Sequence, residues 1–244
     1  ASTIKSDRIC KKLRLNEKDH LLEIGTGWGG FAIYAAKNYG CKVTTTTISE
    51  KQYQLAKERV EEANLSDKIT LLLEDYRDLE GQFDKLVSIE MIEAVGYQYF
   101  DDYFKKCSKL LKPEGLMVLQ AITIADQQYK YSIRSVDFIQ KYIFPGGCLP
   151  SVSKIAETIT EYTNMRIINI EDIGPHYATT LNHWRERMYE NIDVIKGMGY
   201  SDTFIRMWHY YLCYCEGAFI ERAIGDVQMI IMKPMNRDAP YLNF

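Results

Sequence analysis

The run Glu23-Ile24-Gly25-Thr26-Gly27-Trp28-Gly29-Gly30 constrains this chain more than any other stretch. It follows the apolar segment His20-Leu21-Leu22 and precedes Phe31-Ala32-Ile33-Tyr34-Ala35-Ala36-Lys37, which has helical character. A strand, a glycine turn and a helix in that order let backbone approach a ligand closely, and the start of the helix offers it unpaired N–H groups. The dinucleotide form of such a loop usually reads GxGxxG. Here an acid comes first and the glycines are spaced more tightly, so no room is needed for a pyrophosphate. Glu23 has a second reading as a solvated acid at a strand end.

The rest of the chain repeats the alternation. Further strands are expected at Lys42 to Thr47, Ile69 to Leu73, Lys85 to Ile89 and Leu116 to Gln120, with helices at about Glu50 to Ala63 and up to Leu111. A turn is expected at Lys112-Pro113-Glu114-Gly115. Strands alternating with helices imply a mostly parallel α/β sheet with helices on both faces. Arg166 to Ile170 and Val227 to Met232 supply two last strands, and Ile9, Leu13 and Leu15 mark an amphipathic helix near the start. One domain over 1–244 is expected, with a cap insertion at about 125–165 and an aromatic helical region at about 180–222.

With 244 residues and 46% hydrophobic composition, the chain can bury a substantial core. A net charge of -3 provides no basic field for nucleic acid. Six scattered cysteines show no metal spacing and read as reduced thiols of a cytosolic protein. No apolar run is long enough to span a bilayer, and Ala1 to Asp7 lacks the apolar stretch of a signal peptide. Any lipid is therefore met from the cytoplasmic face.

The loop's preceding acid and spacing suit a ligand carrying a carboxylate and an ammonium, as in S-adenosylmethionine. Ser49, after the second strand, is a helix N-cap by its position. Asp75 and Tyr76 follow the third strand, where a carboxylate can accept from an adenine amino group and a ring can pack on the base.

Leu22 to Gly30, Thr47-Ile48-Ser49-Glu50-Lys51-Gln52, Asp75-Tyr76-Arg77-Asp78-Leu79, Phe144-Pro145-Gly146-Gly147-Cys148-Leu149-Pro150-Ser151 and Tyr177-Ala178-Thr179-Thr180-Leu181 together resemble, in order, the cyclopropane-fatty-acyl-phospholipid synthases. The Phe144 to Ser151 segment is the most diagnostic, because ordinary small-molecule methyltransferases lack it. The resemblance implies a Rossmann-like, seven-stranded methyltransferase sheet with a cap over an acyl-chain channel. It implies S-adenosylmethionine as cofactor, held by Glu23, Gly25, Gly27, Trp28, Gly29, Thr47, Ser49, Gln52, Asp75, Tyr76 and Ile89, with Thr47 and Gln52 on the ribose. It also implies bicarbonate as the base, held by Glu93, Gln120, Ile122 and Tyr177. Well-known bacterial members have His in place of Gln120, which keeps donor capacity but carries no charge. A cysteine near the bicarbonate and a tyrosine–serine pair near the cofactor belong to a family segment upstream of residue 1.

The implied reaction adds the cofactor's methyl carbon across a cis double bond of an unsaturated phospholipid at the membrane surface, where the protein would sit peripherally. Homo-oligomerisation stays open. Bland readings stand beside these. Glu90 and Glu93 could be an exposed helix-start pair, Gln120 a strand cap and Tyr177 a packed ring. Phe204, Trp208, Tyr211, Cys215 and Phe219 fit a core face or a mixed core and channel wall. The rival functions are methyl or methylene branching of an acyl chain, small-molecule N-methylation, and cofactor binding without catalysis in the absence of a partner or upstream segment.

Overall fold

The computed structural model describes residues 2–237; residue 1 and residues 238–244, included in the expected single domain, lie outside the described residues. The first half is strand and helix in alternation. The helix α1 (Ser2–Leu13) leads to β1 (His20–Ile24), α2 (Gly30–Tyr39), β2 (Lys42–Thr47), α3 (Glu50–Glu62), β3 (Ile69–Leu73) and β4 (Phe83–Ile89). Two single-turn 3-10 helices, Ile92–Ala94 and Tyr97–Tyr99, precede α4 (Phe100–Leu110) and the long β5 (Leu111–Ile124). Then come α5 (Asp126–Ser132), α6 (Phe138–Tyr142), α7 (Val152–Tyr162), β6 (Arg166–Asp172), α8 (Gly174–Glu190), α9 (Ile192–Gly197), α10 (Asp202–Ile220) and β7 (Ile224–Met232).

The strands form one seven-stranded sheet in the order β3-β2-β1-β4-β5-β7-β6. The strands from β3 to β5 pair in parallel, and β7 is inserted antiparallel between β5 and β6. Sequence neighbours β1 and β2 lie on one side of the β1–β4 junction and β4 and β5 on the other, so ligand is expected beyond the carboxyl ends of β1 and β4.

Each face of the sheet is covered. Phe100, Tyr103, Phe104 and Leu110 of α4, with Ile155 and Ile159 of α7, pack on one face. Ile9 and Leu13 of α1 and Phe31, Ala32, Ala35 and Ala36 of α2 pack on the other. Each such large apolar side chain contributes about 1.5–3 kcal/mol by leaving water. Thus α7, at the end of the expected cap, is a sheet-packed helix, whereas α5 and α6 contribute no fully buried residue. The expected turn at Lys112 to Gly115 is an excursion inside β5: Phe83 pairs with Leu111 and Lys85 with Leu116. The described residues include no helix long and apolar enough to cross a membrane and no cluster able to hold a metal.

Candidate active site

Gly25, Gly27 and Gly29 have φ values of 99°, 53° and 80°, where a side chain is strained. A Cβ on Gly25 would lie 3.2 Å from the Met91 side chain and one on Gly29 3.1 Å from the Ala56 Cβ, whereas Gly27 would meet nothing within 4 Å. Gly25 and Gly29 therefore serve close packing, and the face of Gly27 stays open to a ligand. Because Met91 lies between Glu90 and Glu93, the Gly25 contact joins the glycine loop to the turn beyond β4. Trp28 stays largely exposed, with its carbonyl accepting from Arg59 Nη1 at 3.0 Å.

Glu23 is buried and accepts from Thr45 Oγ1 at 2.6 Å; Thr45 also meets Thr26 Oγ1 at 2.7 Å. Burial raises its carboxyl to about 8. The solvated reading of Glu23 is overturned: it is an interior acid bracing the loop. Thr47 and Gln52 come together, Thr47 Oγ1 donating to Gln52 Oε1 at 2.7 Å. Ser49 caps α3, accepting from the Gln52 N–H at 3.4 Å. Asp75 accepts from Arg77 through the backbone N–H, Nε and Nη2 at 2.9, 3.0 and 2.8 Å. The Arg77 hydrogen bonds hold its carboxyl below the ordinary range. An adenine amino group would have to share those oxygens. Tyr76 packs edge-on against Tyr103 with ring centroids 5.5 Å apart.

Beyond β4 the chain turns abruptly at Glu90, whose φ of 52° is uncommon for a residue with a side chain. This is not a helix-start pair, since only Glu93 lies in the 3-10 turn. The Glu90 N–H donates to Gln120 O at 2.9 Å, extending the register in which Ile89 lies opposite Gln120. Glu90 Oε1 accepts from Gln120 Nε2 at 2.6 Å and Lys5 Nζ at 3.4 Å, and Oε2 accepts from the Tyr177 hydroxyl at 2.6 Å. Gln120 Nε2 also donates to Asp226 Oδ2 at 2.8 Å, and Gln120 Oε1 accepts from Gln228 Nε2 at 2.9 Å. Two carboxylates on one amide nitrogen fix which way that amide faces. Gln228 Oε1 accepts in turn from Lys12 Nζ at 2.6 Å, and Lys12 pairs with Glu171 Oε2 at 2.5 Å. A polar thread therefore runs from α1 through the sheet to Tyr177.

Glu93 Oε1 accepts from the Ile122 N–H at 2.6 Å. Its Oε2 and Asp226 Oδ1 are buried without a hydrogen-bond partner among the described residues. Burial raises Glu93 to about 7 and Asp226 to about 8, and the Glu90 charge pushes both the same way. Burial and the Glu90 charge likewise hold the Tyr177 hydroxyl far above its ordinary range, so it remains a donor.

Local structure explains the placing of these groups. Tyr177 lies in the first turns of α8, whose start is stitched to β7 by the Ile173 N–H donating to Asp226 O at 2.7 Å. The Phe144 to Ser151 segment fastens the Glu93 turn: the Cys148 N–H donates to Glu93 O at 2.7 Å and the Ile124 N–H to Pro150 O at 3.0 Å. Over this end of the sheet, Leu181, Leu212 and Phe219 form a satellite core that Ile122, Tyr177, Trp208, Tyr211 and Cys215 join. Trp208, Tyr211, Cys215 and Phe219 of α10 thus pack as core.

The structure brings Glu93 to Ile122 and Gln120 to Tyr177, but joins the second pair through Glu90. Sequence reasoning missed Glu90, Asp226, Gln228 and Lys12 as partners in this network. One signal was available: Asp226 and Gln228 are polar residues in an otherwise apolar strand.

The donor set fits a carboxylate of the chain rather than bicarbonate. Tyr177 and Gln120 both donate to Glu90, and Glu93 and Asp226 add further acids. Glu23, Glu93 and Asp226 each hold a proton to higher pH than an unfolded carboxyl, which releases it at about pH 4. Stability contributed this way is present at low pH and is lost as pH rises toward about 8. The melting temperature is expected to fall between about pH 7 and about pH 9 by at least ~2 °C, the shift that roughly 1 kcal/mol gives at this size. A rise across that interval in a calorimetric melt would show that the fold favours these acids ionised.

Comparison with known proteins adds the family. The family model described as mycolic acid cyclopropane synthetase matches residues 1–229. Tuberculostearic acid methyltransferase UfaA1 of Mycobacterium tuberculosis is 41% identical over 215 residues, 88% of this chain and 50% of that protein. The cyclopropane-fatty-acyl-phospholipid synthase of Escherichia coli K12 is 41% identical over 233 residues, 96% of this chain and 58% of that protein. The chain thus spans about half to three-fifths of these relatives' length. Among solved structures, mycolic acid cyclopropane synthase CmaA1 complexed with SAH and CTAB superposes with a TM-score of 0.88 at 26% identity, covering 96% of this chain and 84% of that one.

Proposed function

The chain belongs to the mycolic acid cyclopropane synthetase family, and from that premise we propose that it is an S-adenosylmethionine-dependent methyltransferase that cyclopropanates an unsaturated phospholipid acyl chain. The observation that carries this reading is the meeting of Tyr177, Gln120 and Glu90 at the carboxyl ends of β4 and β5, joined to the glycine loop through Met91 and Gly25.

S-adenosylmethionine supplies an electrophilic methyl group, for which the open face at Gly27 and the Thr47–Gln52 pair provide the cradle. An alkene is a poor nucleophile, so the residues must align it and exclude water. We assign both tasks to the aromatic side chains of α8 and α10 that pack over this end of the sheet. Methyl addition leaves positive charge on the acyl chain, which the carboxylates of Glu90 and Glu93 face from the end of β4. A proton must then leave so that the ring can close.

A membrane-surface location fits the exposed apolar residues of the cap and of the α9 region. Tyr131, Val136, Phe144, Val194 and Met198 all lie at least half exposed. A second reading, methyl or methylene branching, is favoured by the 41% identity to a protein whose name describes a tuberculostearic acid methyltransferase.

Mass spectrometry of unsaturated phospholipid vesicles incubated with labelled S-adenosylmethionine tests both. Gain of one CH2 with loss of the double bond supports ring closure, and the same gain with unsaturation retained supports methylene branching. Absence of lipid product alongside measured cofactor binding would sink the lipid reading.

A further inference from the structure

The two side-chain donors that the resemblance assigns to a bicarbonate ion, the Tyr177 hydroxyl and the Gln120 amide, both donate to Glu90 at 2.6 Å. Resting on the lipid reading above, we infer that the Glu90 carboxylate takes the place of that ion and is the proton acceptor of the reaction. Three observations converge on it. Glu90 adopts φ 52°, and this turn directs its carboxylate back over the end of β5 rather than away into solvent. Tyr177 and Gln120, on different elements, each hold one of its oxygens, as donors hold a captured anion. The Lys5 ammonium, 3.4 Å from Oε1, adds a cation to the same carboxylate. A free bicarbonate on those donors would be placed against the Glu90 carboxylate, which already occupies both of them and repels an anion.

The step balances without an added base. The alkene π pair takes the methyl carbon, with the pair of the broken C–S bond left on sulfur and a positive charge left on the neighbouring chain carbon. The C–H pair of the added methyl then closes the ring, and its proton passes to a Glu90 oxygen, giving a carboxylic acid that is later deprotonated by water. Tyr177 and Gln120 act as positioning residues, holding the acceptor in place.

The test uses the full chain and two Glu90 variants. Glu90→Gly removes the carboxylate and leaves φ 52° to a residue that adopts it freely, so the fold should survive. Turnover should fall about a hundredfold, as expected when a positioned base is lost, and should be restored by formate or bicarbonate filling the vacated space. Glu90→Gln should lose turnover as deeply but resist rescue, because its side chain still fills that space. The unaltered chain should be indifferent to bicarbonate removal by degassing. A binding readout stands apart from lipid chemistry: 13C-bicarbonate NMR should show line broadening with Glu90→Gly, abolished when Tyr177→Phe is added, and none with the unaltered chain. A fall in the unaltered chain's rate on degassing, or broadening equal to that of Glu90→Gly, would overturn the inference. If the unaltered chain makes no lipid product, the lipid reading has failed and the NMR comparison still decides whether Glu90 fills the anion's place.

Discussion

Replacing Glu93 by Gln is expected to lower turnover on unsaturated phospholipid by about a hundredfold to ten-thousandfold while S-adenosylmethionine affinity changes by less than about twofold. The Gln carbonyl oxygen can still accept from the Ile122 N–H, so the 2.6 Å tie to β5 survives. What disappears is the second oxygen, buried and unpartnered, together with a charge that burial poises at about 7. An amide cannot face the positive charge of the acyl chain with a negative one. Isothermal titration with the cofactor and single-turnover kinetics with lipid separate the two effects. A parallel fall in cofactor affinity would place Glu93 in the cofactor pocket instead.

The second large effect concerns folding. Gly29→Val puts a β-branched side chain at φ 80° with its Cβ 3.1 Å from the Ala56 Cβ and 3.3 Å from the Ala56 Cα. The left-handed backbone costs about 1–2 kcal/mol, and forcing α2 and α3 apart adds roughly 1–3 kcal/mol. Against a typical total stability of about 5–15 kcal/mol, the melting temperature should drop by about 4–20 °C. Gly27→Val provides the contrast, because nothing lies within 4 Å of its Cβ position. It should melt closer to the unaltered chain yet lose cofactor binding. Equal melting of Gly29→Val and the unaltered chain would show that α3 shifts freely to make room.

Much of the sheet was legible because its strands are short, rich in β-branched and apolar residues, and bounded by turn residues. β2 and β3 agree with their expected bounds. β5 starts earlier than expected because Leu111 pairs with Phe83 before the Pro113 excursion, a register fact that no local pattern carries. Within the site, the glycine loop was readable, since its constraint is steric and local. The partnerships were not. Glu90 and Glu93, three residues apart, have the spacing of a helix start, and only the left-handed φ at Glu90 separates their directions. Asp226 and Gln228 reach the site because β7 lies beside β5, with Ile122 opposite Asp226 and Gln120 opposite Gln228. A pairing between residues more than a hundred positions apart is a property of topology.

The thread from Lys12 through Gln228 to Gln120 bears on how portable this chemistry is. A β-sheet core usually insulates its two sides from each other, so that a helix on one can be exchanged without consequence for the other. Here the ammonium of α1 stands two hydrogen bonds from the amide that steadies Glu90. Grafting Glu90, Gln120 and Tyr177 onto another sheet would carry over the visible site and leave its anchor behind. The smallest transplantable unit includes the first helix.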